Sequence, residues 1–152
     1  MTALYLIPAT AADADLLFAW ANDPETRRNA FHTEPIPYAT HIRWLADRLQ
    51  DPCCFLYICK KGQENIGQIR LDIAGDIATI SYSIAKEQRG KGYGTALLRL
   101  IETQVRTAPE LQKVKALLGY VKKENPASQK CFAHNGFLRE EQDDCVTYRK
   151  VL

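Results

Sequence analysis

The stretch Gln88-Arg89-Gly90-Lys91-Gly92-Tyr93-Gly94-Thr95 sets three glycines and two cations between a β-like run at 77–85 and an amphipathic run at 95–105. A strand that feeds a helix through such a turn leaves the first backbone N–H groups of the helix without carbonyl partners, and glycine lets a ligand approach them. The helix N-terminus carries partial positive charge, and the side chains of Arg89 and Lys91 add to it. The chemistry this predicts is capture of a phosphate or diphosphate. The stretch is not a Walker loop, because no Gly-Lys-Ser/Thr closes it, and it is not Gly-x-Gly-x-x-Gly. It has the form Arg-x-x-Gly-x-Gly. A tight left-handed turn without a ligand is the alternative reading.

A second set of polar residues lies just upstream. Gly75-Asp76 fits a two-residue hairpin loop, and pairing Ala74 with Ile77 fixes the register of runs 65–74 and 77–85. Ile69 then faces Tyr82, and Leu71 faces Ile80. On the other side Gln68 faces Ser83, Arg70 faces Ser81 and Asp72 faces Thr79. A slip of one residue would mix the two sets, so turn length and side-chain sorting support each other. A strand pair covered on both sides should be apolar on both. The polar side therefore predicts either a pocket that hydrogen-bonds a charged or hydroxyl-rich molecule, or a solvated sheet face.

These residues need a scaffold, and the rest of the chain supplies one. Residues 3–8 read as a short strand, Thr10-Ala11-Ala12-Asp13 as a capping box opening a helix to about Ala21, and Asp23-Pro24 as cap and first residue of another helical turn. After Pro35 and Pro37, helical spacing of Ile42, Leu45, Ala46 and Leu49 predicts a helix over 38–50. Strands follow at 53–59, 65–74 and 77–85, then the helix after the glycine turn to about Thr107 and a strand at 114–121. Asn125-Pro126 begins a last helix that Asn135-Gly136 ends, and strands at 137–142 and 145–151 complete a mixed α/β sheet with helices on both sides.

At 152 residues, 46% of them hydrophobic, the chain reads as one globular domain spanning 1–152. A net charge of +2 argues against a nucleic-acid surface or a membrane-binding face. The first residues lack the basic start and apolar stretch of a secretion signal, and no run is long enough to span a membrane, so a cytoplasmic location is expected. The five cysteines, at 53, 54, 59, 131 and 145, include no Cys-x-x-Cys pair; they read as reduced packing residues, without a metal site.

The run Ile80-Ser81-Tyr82-Ser83-Ile84-Ala85 leading into Arg89-Gly90-Lys91-Gly92-Tyr93-Gly94, followed about 35 residues later by Asn125-x-x-Ser128-x-x-x-Phe132-x-x-x-Gly136-Phe137, resembles the Gcn5-related N-acetyltransferase (GNAT) superfamily. The resemblance implies an α/β (α+β) fold with a splayed, mostly antiparallel sheet of about seven strands. It implies acetyl-CoA as co-substrate, no metal, a small amine acceptor, and a monomer or homodimer. The backbone of Arg89, Gly90, Lys91, Gly92, Tyr93, Gly94 and Thr95 would hold the cofactor's diphosphate. Main-chain groups of Ile84 would align its pantetheine arm, and Asn125 and Ser128 would meet its far part. Asn125 is equally a plain helix cap, and Ser128 and Phe132 can be plain packing residues.

The sequence departs from the family pattern where many members carry a glutamate and a tyrosine: Thr79 and Phe132 stand there. Ser81, Tyr82 and Tyr120 are the remaining candidates for catalytic groups, although a strand tyrosine can simply pack. The segment Leu17-Phe18-x-Trp20-x-Asn22-Asp23-Pro24-Glu25-x-Arg27 is similar to GNAT enzymes of nucleotide-linked amino sugars in the pseudaminic acid pathway. Members acting on ribosomal-protein N-termini are also similar, and like this chain they lack the tyrosine. Arg27, Phe31, Arg70 and Ser83 would then meet the acceptor.

Overall fold

Residues 3–152 are described by a computed structural model; Met1 and Thr2, which open the stretch read for a leader and the span 1–152, lie outside the described residues. The local signals act where the sequence puts them. The Thr10 hydroxyl accepts the Ala12 N–H while the Asp13 carboxylate accepts the Thr10 N–H, and this reciprocal cap joins strand β1 (Leu4–Pro8) to helix α1 (Ala14–Ala21) through a short 3-10 turn. Asp23 caps α2 (Pro24–Asn29), with Pro24 at its first position. The third helix, α3, runs over Tyr38–Gln50.

Strands β2 (Cys54–Lys61), β3 (Glu64–Ala74) and β4 (Ile77–Ile84) follow, and the β3–β4 partners match the expected register from Ala74–Ile77 to Gln68–Ser83. Between β4 and α4 (Tyr93–Thr107) the chain forms a 3-10 turn at Lys86–Gln88 that periodicity did not predict. The Gln88 N–H closes the turn on the Ala85 carbonyl at 2.9 Å, and the buried Gln88 side-chain amide donates to Glu64 Oε2 at 3.1 Å. Then come β5 (Ala116–Val121), α5 (Pro126–His134), β6 (Leu138–Glu141) and β7 (Val146–Val151). β5 begins two residues later than expected, because the amides of Lys115 and Ala116 both turn to the Asp76 carbonyl.

The seven strands form one sheet in the order β1-β2-β3-β4-β5-β7-β6, antiparallel throughout except for the parallel β4–β5 pair. Alternation along β2 divides the core. Tyr57 and Cys59 join Leu97, Leu98 and Ile101 of α4, whereas Leu56 and Ile58 join Leu17 of α1 and Leu45 of α3. Helices thus cover both faces, and each fully buried leucine or isoleucine contributes about 1.5–3 kcal/mol. Among the described residues, no helix is long and apolar enough to cross a membrane.

One joint positions the site. The β4–β5 partners run from Ile77–Ala116 to Ile80–Gly119 and stop. Beyond that point Ser81 to Ser83 stay with β3 while Tyr120 and Val121 stay with β7, so the two strands part. Phe132, 2% exposed, backs this joint. Its ring stacks on Tyr148 with centroids 5.3 Å apart and meets Phe137 edge-on at 5.0 Å. Gly119 makes room for it: a Cβ at that position would lie 2.4 Å from Phe132 Cζ.

Candidate active site

The glycine turn builds a cradle of backbone donors. Gly90 and Gly92 adopt φ of +77° and +82°, left-handed values that glycine takes without strain, and Gly92 caps α4 with no side-chain hydrogen bond. Among the described residues, the backbone N–H groups of Gly90, Lys91, Gly92, Tyr93, Gly94 and Thr95 make no hydrogen bond, whereas Arg89 N–H already points to the Lys86 carbonyl. Consecutive free amides at a helix N-terminus form an anion site. Gly94 has a further constraint, since a Cβ there would lie 2.8 Å from Cys131 Sγ.

The Arg89 side chain departs from its expected place. Its guanidinium turns from the cradle to α2, reaching Asp23 Oδ2 at 2.7 Å, Glu25 Oε2 at 2.8 Å and Thr26 Oγ1 at 3.2 Å, and Nε donates to the Ile84 carbonyl at 3.1 Å. Two carboxylates so close neutralise the charge that the sequence reading assigned to a phosphate. Lys91 Nζ donates to Gln88 Oε1 at 3.3 Å.

Asp23 feels this contact. Burial alone raises its carboxyl pKa, but the hydrogen bonds from Arg89 and from Thr26 N–H outweigh that, and the net direction is down. A carboxyl with a folded-state pKa below its unfolded value of about 3.9 contributes stability above that value and loses it as pH falls through the folded pKa. Asp23→Asn, which keeps the cap, should destabilise the protein by about 1.5–3 kcal/mol at pH 7. That deficit should shrink below about pH 4, as urea unfolding at pH 7 and pH 3 would measure. An equal deficit at both pH values would exclude the ion pair as its source.

Where β4 and β5 part, a cleft of about 1200 Å³ opens, running from the cradle to the polar side of the β3–β4 hairpin. Ala85 N–H bonds Ile66 O on β3, so alternation turns the main-chain groups of Tyr82 and Ile84 into the gap. The Ile84 carbonyl already accepts Arg89 Nε. Tyr82 Oη and Ser128 Oγ lie 2.9 Å apart across it, and Asn125 Oδ1 accepts the Ser128 N–H as helix cap. Burial pushes the Tyr82 phenol well above its usual pKa, Cys131 adds to the shift, and the Ser128 hydrogen bond opposes it. Tyr82 therefore holds its proton at every physiological pH.

The acceptor side is lined by Gln68, Arg70, Ser81 and Ser83. Arg70 is held between Asp72 Oδ2, at 2.9 Å from Nε, and the Trp44 ring, 5.2 Å away, while Ser83 Oγ accepts from Gln68. Phe31 and Tyr120 line the cleft and are about half exposed. Arg27 lines it too, but its guanidinium donates to the carbonyls of Ala21 and His32 and so braces its own loop. Lys91 and Thr95 do not line the cleft, and neither does Thr79, which faces Leu118 in the closed part of the β4–β5 joint. Sequence reasoning missed Trp44 and His41. His41 is buried at the cleft wall, its imidazole pKa lowered by burial, with Nε2 3.2 Å from the Ala14 carbonyl. Their spacing of three along α3 marks one helix face, a signal that packing alone also produces. Among the described residues, no three histidine, cysteine or acidic side chains are placed to hold a metal.

The parted parallel joint and the cradle of free amides border one cleft, and the sequence comparison gives the class of the protein. Residues 3–138 match the acetyltransferase (GNAT) domain family, and the chain belongs to it. It is an acetyl-CoA-dependent N-acetyltransferase. Among solved structures, the chain is similar to the aminoglycoside acetyltransferase AAC(6')-Ib in complex with ribostamycin and coenzyme A, at 21% identity and TM-score 0.84, covering 98% of this chain and 93% of that one. RimL, the ribosomal L7/L12 alpha-N-protein acetyltransferase in complex with coenzyme A, is similar at 16% identity and TM-score 0.85, covering 100% and 96%. The spermidine N-acetyltransferase from Vibrio cholerae, in complex with CoA and spermine, is similar at 17% identity and TM-score 0.83, covering 97% and 95%. At these identities the likeness shows the fold alone. No curated protein matches the sequence.

Proposed function

We propose that the protein acetylates the primary amine of a small polar acceptor, an amino sugar carried on a nucleotide. The observation that carries this reading is the makeup of the acceptor side. Four arginines (Arg27, Arg28, Arg70, Arg89) and three glutamates (Glu25, Glu34, Glu124) line the cleft, so it lacks the acidic excess that a polyamine would require. Arg70, Gln68, Ser81 and Ser83 instead present donors and acceptors suited to sugar hydroxyls. Phe31 offers a ring for a base, and the exposed Arg28, which lines the same cleft, suits a phosphate.

In this reading the amides of residues 90–95 hold the diphosphate, Ile84 aligns the pantetheine arm as an added strand would be aligned, and Asn125 Nδ2 and Ser128 border it. The acyl donor supplies a thioester whose carbonyl the neutral amine attacks. Much of the rate comes from alignment of the two reactants and from N–H donors at the developing oxyanion. As the C–N bond forms and the C–S bond breaks, the proton shed by the amine nitrogen passes through water to the departing thiolate. Tyr82, hydrogen-bonded to Ser128, is assigned to donate a hydrogen bond to that sulfur while keeping its own proton, and Ser81 and Tyr120 border the acceptor from opposite lips of the gap. A phenol that stays protonated throughout leaves the alkaline limb of the pH–rate profile flat.

Coenzyme A release over a panel of amines tests the reading. The panel holds free and nucleotide-linked amino sugars, peptides with free N-termini, and spermidine. Turnover should be fastest on a nucleotide-linked sugar, and Arg70→Leu should raise the KM for that acceptor about tenfold while kcat changes less than twofold. Faster turnover on peptides would move the protein to the N-terminal acetyltransferases, and faster turnover on spermidine to the polyamine enzymes.

A further inference from the structure

Arg89 opens the turn that reads as a diphosphate site, yet its guanidinium finds four partners elsewhere. Asp23, Glu25 and Thr26 lie at the N-terminal end of α2, and the Ile84 carbonyl lies at the end of β4. The contact with Asp23 is largely screened from water, the side chains of Arg89 and Asp23 being 27% and 13% exposed, whereas Glu25 is the more open partner. At its other end α2 is fastened to the opposite lip of the gap, where Lys122 Nζ, just beyond β5, donates to the Arg28 carbonyl at 3.0 Å. A six-residue helix too short to be stable alone is thus held across the mouth of the parted strands by the Arg89 contacts at one end and the Lys122 bond at the other. It leads directly into Phe31 and His32, which line the acceptor side.

We propose that Arg89 is a positioning residue that ties α2, and with it the acceptor wall, to the state of the 90–95 turn. The proposal rests on the reading of that turn as the coenzyme A site. An anion on the amides of Gly90 to Thr95 fixes the backbone that carries Arg89; the guanidinium transmits this order to Asp23, Glu25 and Thr26, so the wall firms only after the donor is seated. The effect is a change in local order, seen as slower opening of the α2 amides.

Hydrogen–deuterium exchange with and without saturating coenzyme A, joined to calorimetry with the same probe, tests it. In the native protein, exchange should slow at least threefold both at 90–95 and at 25–29. In Arg89→Gln, coenzyme A affinity should fall less than threefold and protection should persist at 90–95, while the change at 25–29 disappears. Asp23→Asn with Glu25→Gln breaks the same link from α2, should give the same pattern, and carries the test if the arginine variant does not fold. Coenzyme A binding that leaves residues 25–29 unchanged in the native protein overturns the proposal. A loss of affinity above tenfold in Arg89→Gln does so as well, since Arg89 would then be a phosphate ligand. Absence of coenzyme A binding by the native protein instead overturns the reading of the turn itself.

Discussion

Replacing Gly92 by valine is expected to weaken coenzyme A binding by about two orders of magnitude. Gly92 holds φ at +82°, where an ordinary L-residue loses about 1–2 kcal/mol and a β-branched one more. Valine therefore drives the turn out of the left-handed region, which redirects its own amide and that of Tyr93. Each hydrogen bond to a charged group is worth about 1.5–3 kcal/mol, and 1.4 kcal/mol is a factor of ten, so two lost donors correspond to about a hundredfold or more. Gly75→Val is the matched control. Gly75 also has positive φ, +63°, with nothing within 4 Å of an added Cβ, and it lies in the hairpin loop remote from the cradle. It should lower stability and leave calorimetric affinity for coenzyme A unchanged. Equal affinities in native protein and Gly92→Val would place the diphosphate elsewhere.

Phe132→Ala should have the largest effect on stability. The ring is buried against Tyr148, Phe137 and Tyr82, and deleting such a ring removes about 3–5 kcal/mol from a domain whose whole stability is about 5–15. Gly119→Ala attacks the same contact from the strand, pushing a methyl into the ring at a cost of about 1–3 kcal/mol. In the double variant the clash is gone, so its destabilisation should fall well short of the sum. Urea midpoints of the two single variants and the double one measure the coupling. Additive losses would mean that the ring and the bare strand do not share a surface.

The features legible in the sequence are those fixed by near neighbours. The β3–β4 register followed from a two-residue loop and one alternation, and the caps of the 3-10 turn leading into α1, of α2 and of α5 each followed from a residue and its partner two or three positions on. The cradle was legible because glycine at those positions has a backbone consequence. The parting of β4 from β5 is not a local property, and only the family resemblance announced it. The Arg89–Asp23 bond spans 66 residues, so nothing near Arg89 revealed that its charge was already matched. Trp44 over Arg70 joins a helix to a strand in the same way, and Arg27 resembled a ligand-facing cation until the carbonyls around it came into view. Phe132 read both as a departure from the family's tyrosine and as a plain packing residue, and the ring is packed in the core against Phe137 and Tyr148.

The parallel joint has only four rungs, Ile77–Ala116 to Ile80–Gly119. On one side lies a tile of four antiparallel strands, on the other a tile of three, each knitted far more extensively within itself than to its neighbour. A shallow seam of this kind is where shear between the halves meets least resistance. Whatever lays a peptide-like arm along the gap-facing main chain of Tyr82 and Ile84, beside the Arg89 bond to the Ile84 carbonyl, lengthens that seam, and so mends the sheet at its weakest line.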